Sequence, residues 1–494
     1  MMRLTGKQLT TGLGLLLLAS MTGCSLVPHY ERPPAPVVDT WPGTDARDAD
    51  TGASAVADIP WQEFVQDDDL RALIDMALEG NRDLRVAVQN IELARAQYRI
   101  RRADQVPSLG LSASGERGNA SSAGISDVTS GYSVGIGVAA WELDFFGRVA
   151  ALKDVALANF LATGEARKAA QISLIAAVSN AWLQLKTDTE LLTLAARTLS
   201  TREQSMDLMQ MRVEGGASSA LDLHQAESLV AGARAIHAQQ RRRRAQDLNF
   251  LALLAGQPIP ERLVPVVPVV AQPAPSGDAD PLVAVVPTAA DLPVFGAVPT
   301  DLSSDLLLRR PDIRAAEQQL IAANANIGAA RANFFPRIAL TGSLGRVSAE
   351  LDGLFGSDSN RVWAVGAGLT APIFDLGRNR ANLAAAKAAR EIAVAQYEKA
   401  IQAGFREVAD ALIARSTFAD QLAAQTAQAE AERARLRLSE LRYRNGIASY
   451  LDLLDAQRSL FAIEQALAQT RLAQRVSEVE LYKALGGGWS ESPQ

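Results

Sequence analysis

Cysteine is all but missing from this chain of 494 residues: Cys24 is the only one. No disulfide can form within the chain, and redox chemistry has no second sulfur to work with. Histidine is nearly as scarce. His29, His224 and His237 are the only three, none stands at metal-ligand spacing from another, and no cysteine joins them; the usual donor sets for zinc are therefore lacking. There is no P-loop, no G-x-S-x-G and no dinucleotide-binding glycine fingerprint. Aromatic residues make up only 5% of the chain, while 48% is hydrophobic and alanine is abundant, a composition that suits long helices more than a compact aromatic core. A basic excess is missing too: the net charge is -6, and nothing points to nucleic acid. The runs Arg101-Arg102 and Arg241 to Arg244 sit in helical patterns and read as solvated faces. No segment has 18 uninterrupted apolar residues, so no spanning helix is expected, and any membrane crossing falls to β-strands or to a lipid.

What is present begins with a targeting segment. Arg3 and Lys7 form a basic start, G-L-G-L-L-L-L-A-S (12–20) a short apolar core, and Met21-Thr22-Gly23-Cys24 its end. A lone thiol directly after such a core resembles a bacterial lipobox. That resemblance implies a lipoprotein signal peptide over 1–23, an N-acyl diacylglycerol on Cys24 and no other cofactor. Ser25 at the next position implies sorting to the outer membrane, and outer-membrane lipid as a partner. The alternative is an ordinary signal peptide with an incidental cysteine. Residues 24–60 are Pro-rich and expected to be extended.

The rest is one unit written twice. N-R-D-L-R-V-A (81–87) resembles R-P-D-I-R-A-A (310–316), V-P-S-L-G-L-S-A-S (106–114) resembles F-P-R-I-A-L-T-G-S (335–343), and Gly216 and Leu221-Asp222 match Gly446 and Leu451-Asp452; the offset stays at 229 to 230. Repeat 1 spans 61–256 and repeat 2 spans 305–486. Between them lies a linker, 257–304, with ten prolines, a density that forbids a continuing helix. Residues 487–494 form a short tail. Each repeat reads helix, strand, strand, helix, turn, helix. The first helices, 82–105 and 311–333, end at Pro107 and Pro336. Period-two alternation then predicts strands over about 107–117 and 131–141, and over about 337–347 and 361–371, with a polar loop at 115–130. Two proline-free stretches of 67 residues, 148–214 and 378–444, each allow a helix of about 100 Å. Gly164 and Gly404 inside them mark possible bends. Tip turns follow at 215–219 and 445–448, then helices over 219–255 and 449–485.

Strands of about ten residues fit a tilted transmembrane span, and Tyr132 and Trp141 bracket one of them as interfacial aromatics would. A soluble hairpin is the plain alternative. Four strands cannot close a barrel, and open edges are not tolerated in lipid. Two copies give eight strands and a filled interior, three give twelve and an open lumen; the Gly, Ser and Thr of the polar face suit water. The expected fold is a mixed α and β membrane protein. It is a homotrimeric channel-tunnel, with a 12-stranded β-barrel, four strands per protomer, continuing into a long α-helical barrel with an equatorial domain.

The resemblance then becomes specific. W-E-L-D-F-F-G-R (141–148), A-N-A-N-I-G-A-A-R-A-N-F-F-P (323–336), A-Q-Y-E-K-A-I-Q (395–402), Y-L-D-L-L-D-A-Q-R-S-L-F (450–461) and L-Y-K-A-L-G-G-G-W (481–489) resemble outer-membrane efflux factors of the TolC/OprM type, and among them the OprM-like lipoproteins. The likeness runs from Cys24 almost to the end. It implies a trimeric exit channel that works with a periplasmic adaptor and an inner-membrane RND-type transporter and exports drugs or other small molecules. A tunnel for type I protein secretion shares the fold, and a coiled-coil lipoprotein bridging the envelope would dispense with the strands.

The tips carry the site. Ser219 with Asp222 and Ser449 with Asp452 read as capping boxes, so those carboxylates have a structural role available. Asp455 differs, because its counterpart in repeat 1 is Gln225. Spacing of three puts Asp452 and Asp455 on one helix face, and threefold symmetry would gather six carboxylates at a constriction, a cation-binding ring. A pair of catalytic acids is the remote alternative, without a pocket to serve. By resemblance, Leu451 and Asp455 line the closed periplasmic aperture, and Tyr443, Arg444 and Arg458 hold the tips together. The turns Gly216, Ala217, Ser218 and Gly446, Ile447, Ala448 expose small residues, where the family's adaptor packs; plain loops are the alternative.

Overall fold

The computed structural model describes residues 25–38, 41, 59–122, 125–268, 292–296, 304–356 and 360–488. The expected signal peptide, Cys24, much of the Pro-rich linker (269–291 and 297–303) and the last six residues of the tail (489–494) lie outside the described residues. The chain divides into two compact units, one of residues 1–35, 89–166 and 313–400, the other of 36–88, 167–312 and 401–494. Two helices of 67 residues, α3 (Arg148–Glu214) and α6 (Arg378–Arg444), pass through both. Neither is interrupted at its interior glycine, so the expected bends are not breaks. The reason at Gly404 is packing: a Cβ there would lie 3.1 Å from the Leu307 side chain and 3.3 Å from that of Arg310.

The first unit is built on a four-stranded antiparallel sheet in chain order: β1 (Gly110–Ser122), β2 (Ile125–Leu143), β3 (Arg337–Ser348) and β4 (Asn360–Thr370). Leu111 pairs with Ile136, Ile136 with Leu344 and Leu344 with Trp363, so one apolar row crosses all four strands. A register shift between Val138 and Trp141 interrupts the β2–β3 ladder. The polar loop expected at 115–130 is mostly paired strand, with Gly115 opposite Tyr132 and Ser122 opposite Ile125. Backbone hydrogen bonds extend the ladder past the point where apolar alternation stops marking it. At the other end β1 starts at Gly110 rather than 107. β1 and β4 are the sheet's edges, and neither has a strand partner among the described residues. Helix α5 (Pro311–Ala332) leads into β3. The extended N-terminal segment lies along it: Arg32 donates to both carboxylate oxygens of Glu317 (2.7 and 3.0 Å), Asn324 Nδ2 donates to the Pro28 carbonyl (2.8 Å) and Arg331 to that of Leu26 (3.0 Å). Phe146 stacks on Phe335 at 4.6 Å where strands give way to helices.

The second unit is helical. The helix expected over 82–105 is α2 (Arg82–Ala103), which begins in this unit and continues into the first; ahead of it stands a helix that sequence did not disclose, α1 (Asp68–Gly80), capped by Asp67. Leu70, Leu73, Ile74 and Ala77 of α1 are buried, at the spacing of one helix face. The shorter hairpin helices, α4 (Ala220–Ala255) and α7 (Tyr450–Ala484), end at residues 255 and 484. There the two repeats solve one problem with different chemistry. Asn81 Nδ2 donates to the Leu254 carbonyl (2.9 Å), and Arg310 Nη1 donates to that of Ala484 (2.6 Å). Asn81 and Arg310 stand 229 apart and the two carbonyls 230 apart. Each side chain satisfies a carbonyl that the end of a helix would leave bare. Of the linker, a single 3₁₀ turn at Glu261–Leu263 and a bridge from Phe295 to Val65 are described.

Candidate functional site at the hairpin tips

Both long helices end in the same turn. Gly216 and Gly446 take φ of 71° and 70°, the left-handed conformation that glycine adopts at little cost. In the first, the N–H of Ala217 reaches back to the Arg212 carbonyl (2.7 Å) and that of Gly216 to Val213 (3.0 Å). In the second, Ile447 reaches Arg442 (2.8 Å) and Gly446 reaches Tyr443 (3.0 Å). Two short-loop capping boxes start the return helices: Ser219 and Asp222 exchange hydrogen bonds at α4, Ser449 and Asp452 at α7. Ala217 and Ile447 are exposed, Ser218 and Ala448 half-buried. A Cβ built on either Gly216 or Gly446 meets nothing within 4 Å.

Beneath the turns the two hairpins share a core. Met209, Ala226, Leu229, Tyr450, Leu453 and Leu454 are buried together, with Leu436 and Tyr443 against them. Tyr443 joins the halves: its hydroxyl accepts from Arg212 Nη1 at 2.6 Å, its ring lies 5.4 Å under that guanidinium, and it tilts against Tyr450 at 5.6 Å. Burial first, and then the neighbouring Tyr443, push the Tyr450 hydroxyl up to about 12.

The acidic pair separates in role. Asp452 accepts from both the backbone N–H (3.1 Å) and the hydroxyl (2.9 Å) of Ser449. That hydroxyl holds its carboxyl below the usual range, so the carboxylate is engaged in the helix cap. Asp455, one turn on, is paired with Arg435 of α6. Both carboxylates that the chain would bring to the expected ring are thus engaged within the chain. Leu451 is exposed, as its counterpart Leu221 is. Arg444 bonds Glu440 on its own helix at 2.6 Å. Arg458 is exposed and makes no hydrogen bond or ion pair among the described residues. Its charge falls on Arg202, whose guanidinium is held below its usual value by burial and then by Arg458. Arg202 donates to the Leu229 carbonyl at 3.2 Å and lies over Phe461 at 5.7 Å. The structure thus brings Tyr443 and Asp455 into cross-helix contacts. It adds Arg212, Arg202 and Arg435, which sequence reasoning passed over. Arg435 was open to discovery: aligning the halves puts Ser205 in its place.

The model of the outer membrane efflux protein family matches this chain over residues 73–257 and 302–487. The chain belongs to the outer membrane efflux protein family. The two matched stretches follow the two repeats, overrunning them by three residues at most, and leave most of the Pro-rich linker between them. Among relatives, the solvent efflux pump outer membrane protein SrpC of Pseudomonas putida is 45% identical over 97% of this chain and 98% of that protein. Outer membrane protein OprJ of Pseudomonas aeruginosa is 44% identical over 97% and 96%. The open-state structure of the Neisseria gonorrhoeae MtrE outer membrane channel superposes with a TM-score of 0.80 at 39% identity, covering 94% of this chain and 99% of that one. As a member of this family the chain is an outer-membrane efflux component with the fold of the channel-tunnels. The family is one of transport proteins rather than enzymes.

Proposed function

We propose that three copies of this chain form a trimeric channel. In it, three four-stranded sheets close a twelve-stranded barrel in the outer membrane, continued by the helical hairpins toward the periplasm. The observation that carries this reading is the sheet whose two edges have no strand partner among the described residues. An open ladder cannot stand in hydrocarbon, where each bare N–H and C=O costs several kcal/mol, and the family is one of outer-membrane proteins. β3 and β4, with 12 and 11 residues, match the length of a tilted spanning strand. The channel is a passive exit. It takes drugs, solvents or similar small molecules from an inner-membrane RND-type transporter by way of a periplasmic adaptor (membrane fusion) protein. The tips are the aperture, with Leu451, Asp452 and Asp455 at the constriction and Tyr443, Arg444 and Arg458 restraining it. The exposed turns at Gly216–Ser218 and Gly446–Ala448 are where the adaptor docks, since a bare glycine lets a partner helix approach closely. An N-acyl diacylglycerol on Cys24 supplies the anchor.

Deleting the gene tests this. Susceptibility to dyes, solvents and antibiotics is expected to rise several-fold and to return to the starting level on complementation with the full chain. Unchanged susceptibility in a strain without a second exit channel, or loss of a secreted protein instead, contradicts the efflux reading.

A further inference from the structure

Both hairpins carry the capping Asp, but Asp455 and the base that meets it belong to the second alone. Arg435 stands on α6, and its Nη2 donates to Asp455 Oδ2 on α7. Its Nη1 donates to Glu432 Oε2 (3.2 Å) and Ser459 Oγ (3.3 Å). At the matching places of the first hairpin stand Gln225 and Ser205, and the Ser205 hydroxyl turns back to the carbonyl of Thr201 (2.9 Å) on its own helix. The first hairpin folds without either charge. Packing between the helices is supplied by Tyr450, Leu453 and Leu454. Both members of the pair are exposed, with side chains 43% and 61% accessible, where an ion pair adds little stability. A charge pair that is present in one of two equivalent hairpins, and that does little for folding, has a use at the surface it faces.

We propose that Arg435 is a specificity-determining residue of the channel: it orients and neutralises Asp455, and so sets the fixed charge of the aperture. This rests on the reading of the tips as the aperture. With Arg435 in place, the cluster of Arg435, Asp455 and Glu432 carries one net negative charge per copy. Without it the same cluster carries two, and Asp455 is free to bind cations. Rings of charged side chains at a constriction select permeating ions by sign. Arg435 thus halves the negative charge of this cluster and limits the preference of the aperture for cations. Because the pair is exposed, its field reaches about 10 Å at 0.1 M salt and farther at lower salt.

The test is the reversal potential of the full-length protein in planar bilayers under a low-salt KCl gradient. Arg435→Gln is expected to raise the ratio of cation to anion permeability by roughly two- to threefold or more. Arg435→Lys should stay near the wild type, and Asp455→Asn should lower the ratio. The double variant Arg435→Gln/Asp455→Asn has the wild-type net charge and should return most of the way. Circular dichroism and native mass confirm that each variant is folded and assembled. If Asp455→Asn shifts the ratio while Arg435→Gln leaves it unchanged, the role given to Arg435 is wrong and the aperture stands. If neither moves it, the tips are not the selective constriction and both readings fall.

Discussion

Asp247 shows how much a single side chain can reveal. It sits on α4 facing Asp188 of α3, whose own surface is only 2% accessible. One oxygen of each carboxyl lacks another partner, and Gln184 donates to Asp188 at 3.1 Å. Burial, the hydrogen bond with Asp188 and its charge push the Asp247 carboxyl up to about 7, against the pull of Arg243. The folded chain therefore holds this proton more tightly than the unfolded one. The resulting stability is complete below the ordinary carboxyl value of about 4 and is lost as pH rises toward 7. Thermal midpoints measured from pH 4 to 8 should fall over that window and flatten above it, and Asp247→Asn should remove most of the slope. A slope that survives the substitution would show that other groups set it. At this scale the sequence was readable wherever a partner lies within one helical turn. Ser449 and Asp452 could be read as a box because three residues separate them. The Arg435–Asp455 pair spans a turn and twenty residues, so its likeness to a contact is invisible until the hairpin is closed. The oddity of Asp455 against Gln225 was visible; its consequence was not.

Helices were easier to read than strands. A stretch of 67 residues without proline, ending at a glycine turn, leaves little choice but one long helix, and that is what Arg148–Glu214 and Arg378–Arg444 form. Helix α1 went unread although Leu70, Leu73, Ile74 and Ala77 carry the spacing of a buried face. The strands of the first hairpin run past their apolar stretch, since Gly, Ser and Thr pair their backbones as well as Val or Ile do. The interior glycines separate by what surrounds them. Nothing lies within 4 Å of a Cβ at Gly164, whereas Gly404 is packed against Leu307 and Arg310. Gly164→Ala should therefore raise stability by about 0.5–1 kcal/mol. Gly404→Leu should lower it by about 1–3 kcal/mol through overpacking. Calorimetry of the two purified variants checks both signs, and equal effects at the two positions would contradict the packing assigned to Gly404.

The duplication is the feature of the whole chain that sequence discloses best, because an offset of 229 to 230 survives from residue 81 to 486. What one chain cannot disclose is its own completion. Among the described residues the sheet keeps two bare edges, and Trp363, Val365 and Leu369 on β4 are largely exposed. Apolar side chains beside unpaired backbone call for lipid on one face and another strand on the edge. Identical chains supply the strand most simply, edge to edge, and three supply enough strands to leave a lumen. Native mass spectrometry of the full-length protein in mild detergent, paired with conductance of the same preparation, measures this directly. The expected result is a species of three chains that forms pores, with no conductance from any smaller species. A folded, pore-forming single chain would contradict it.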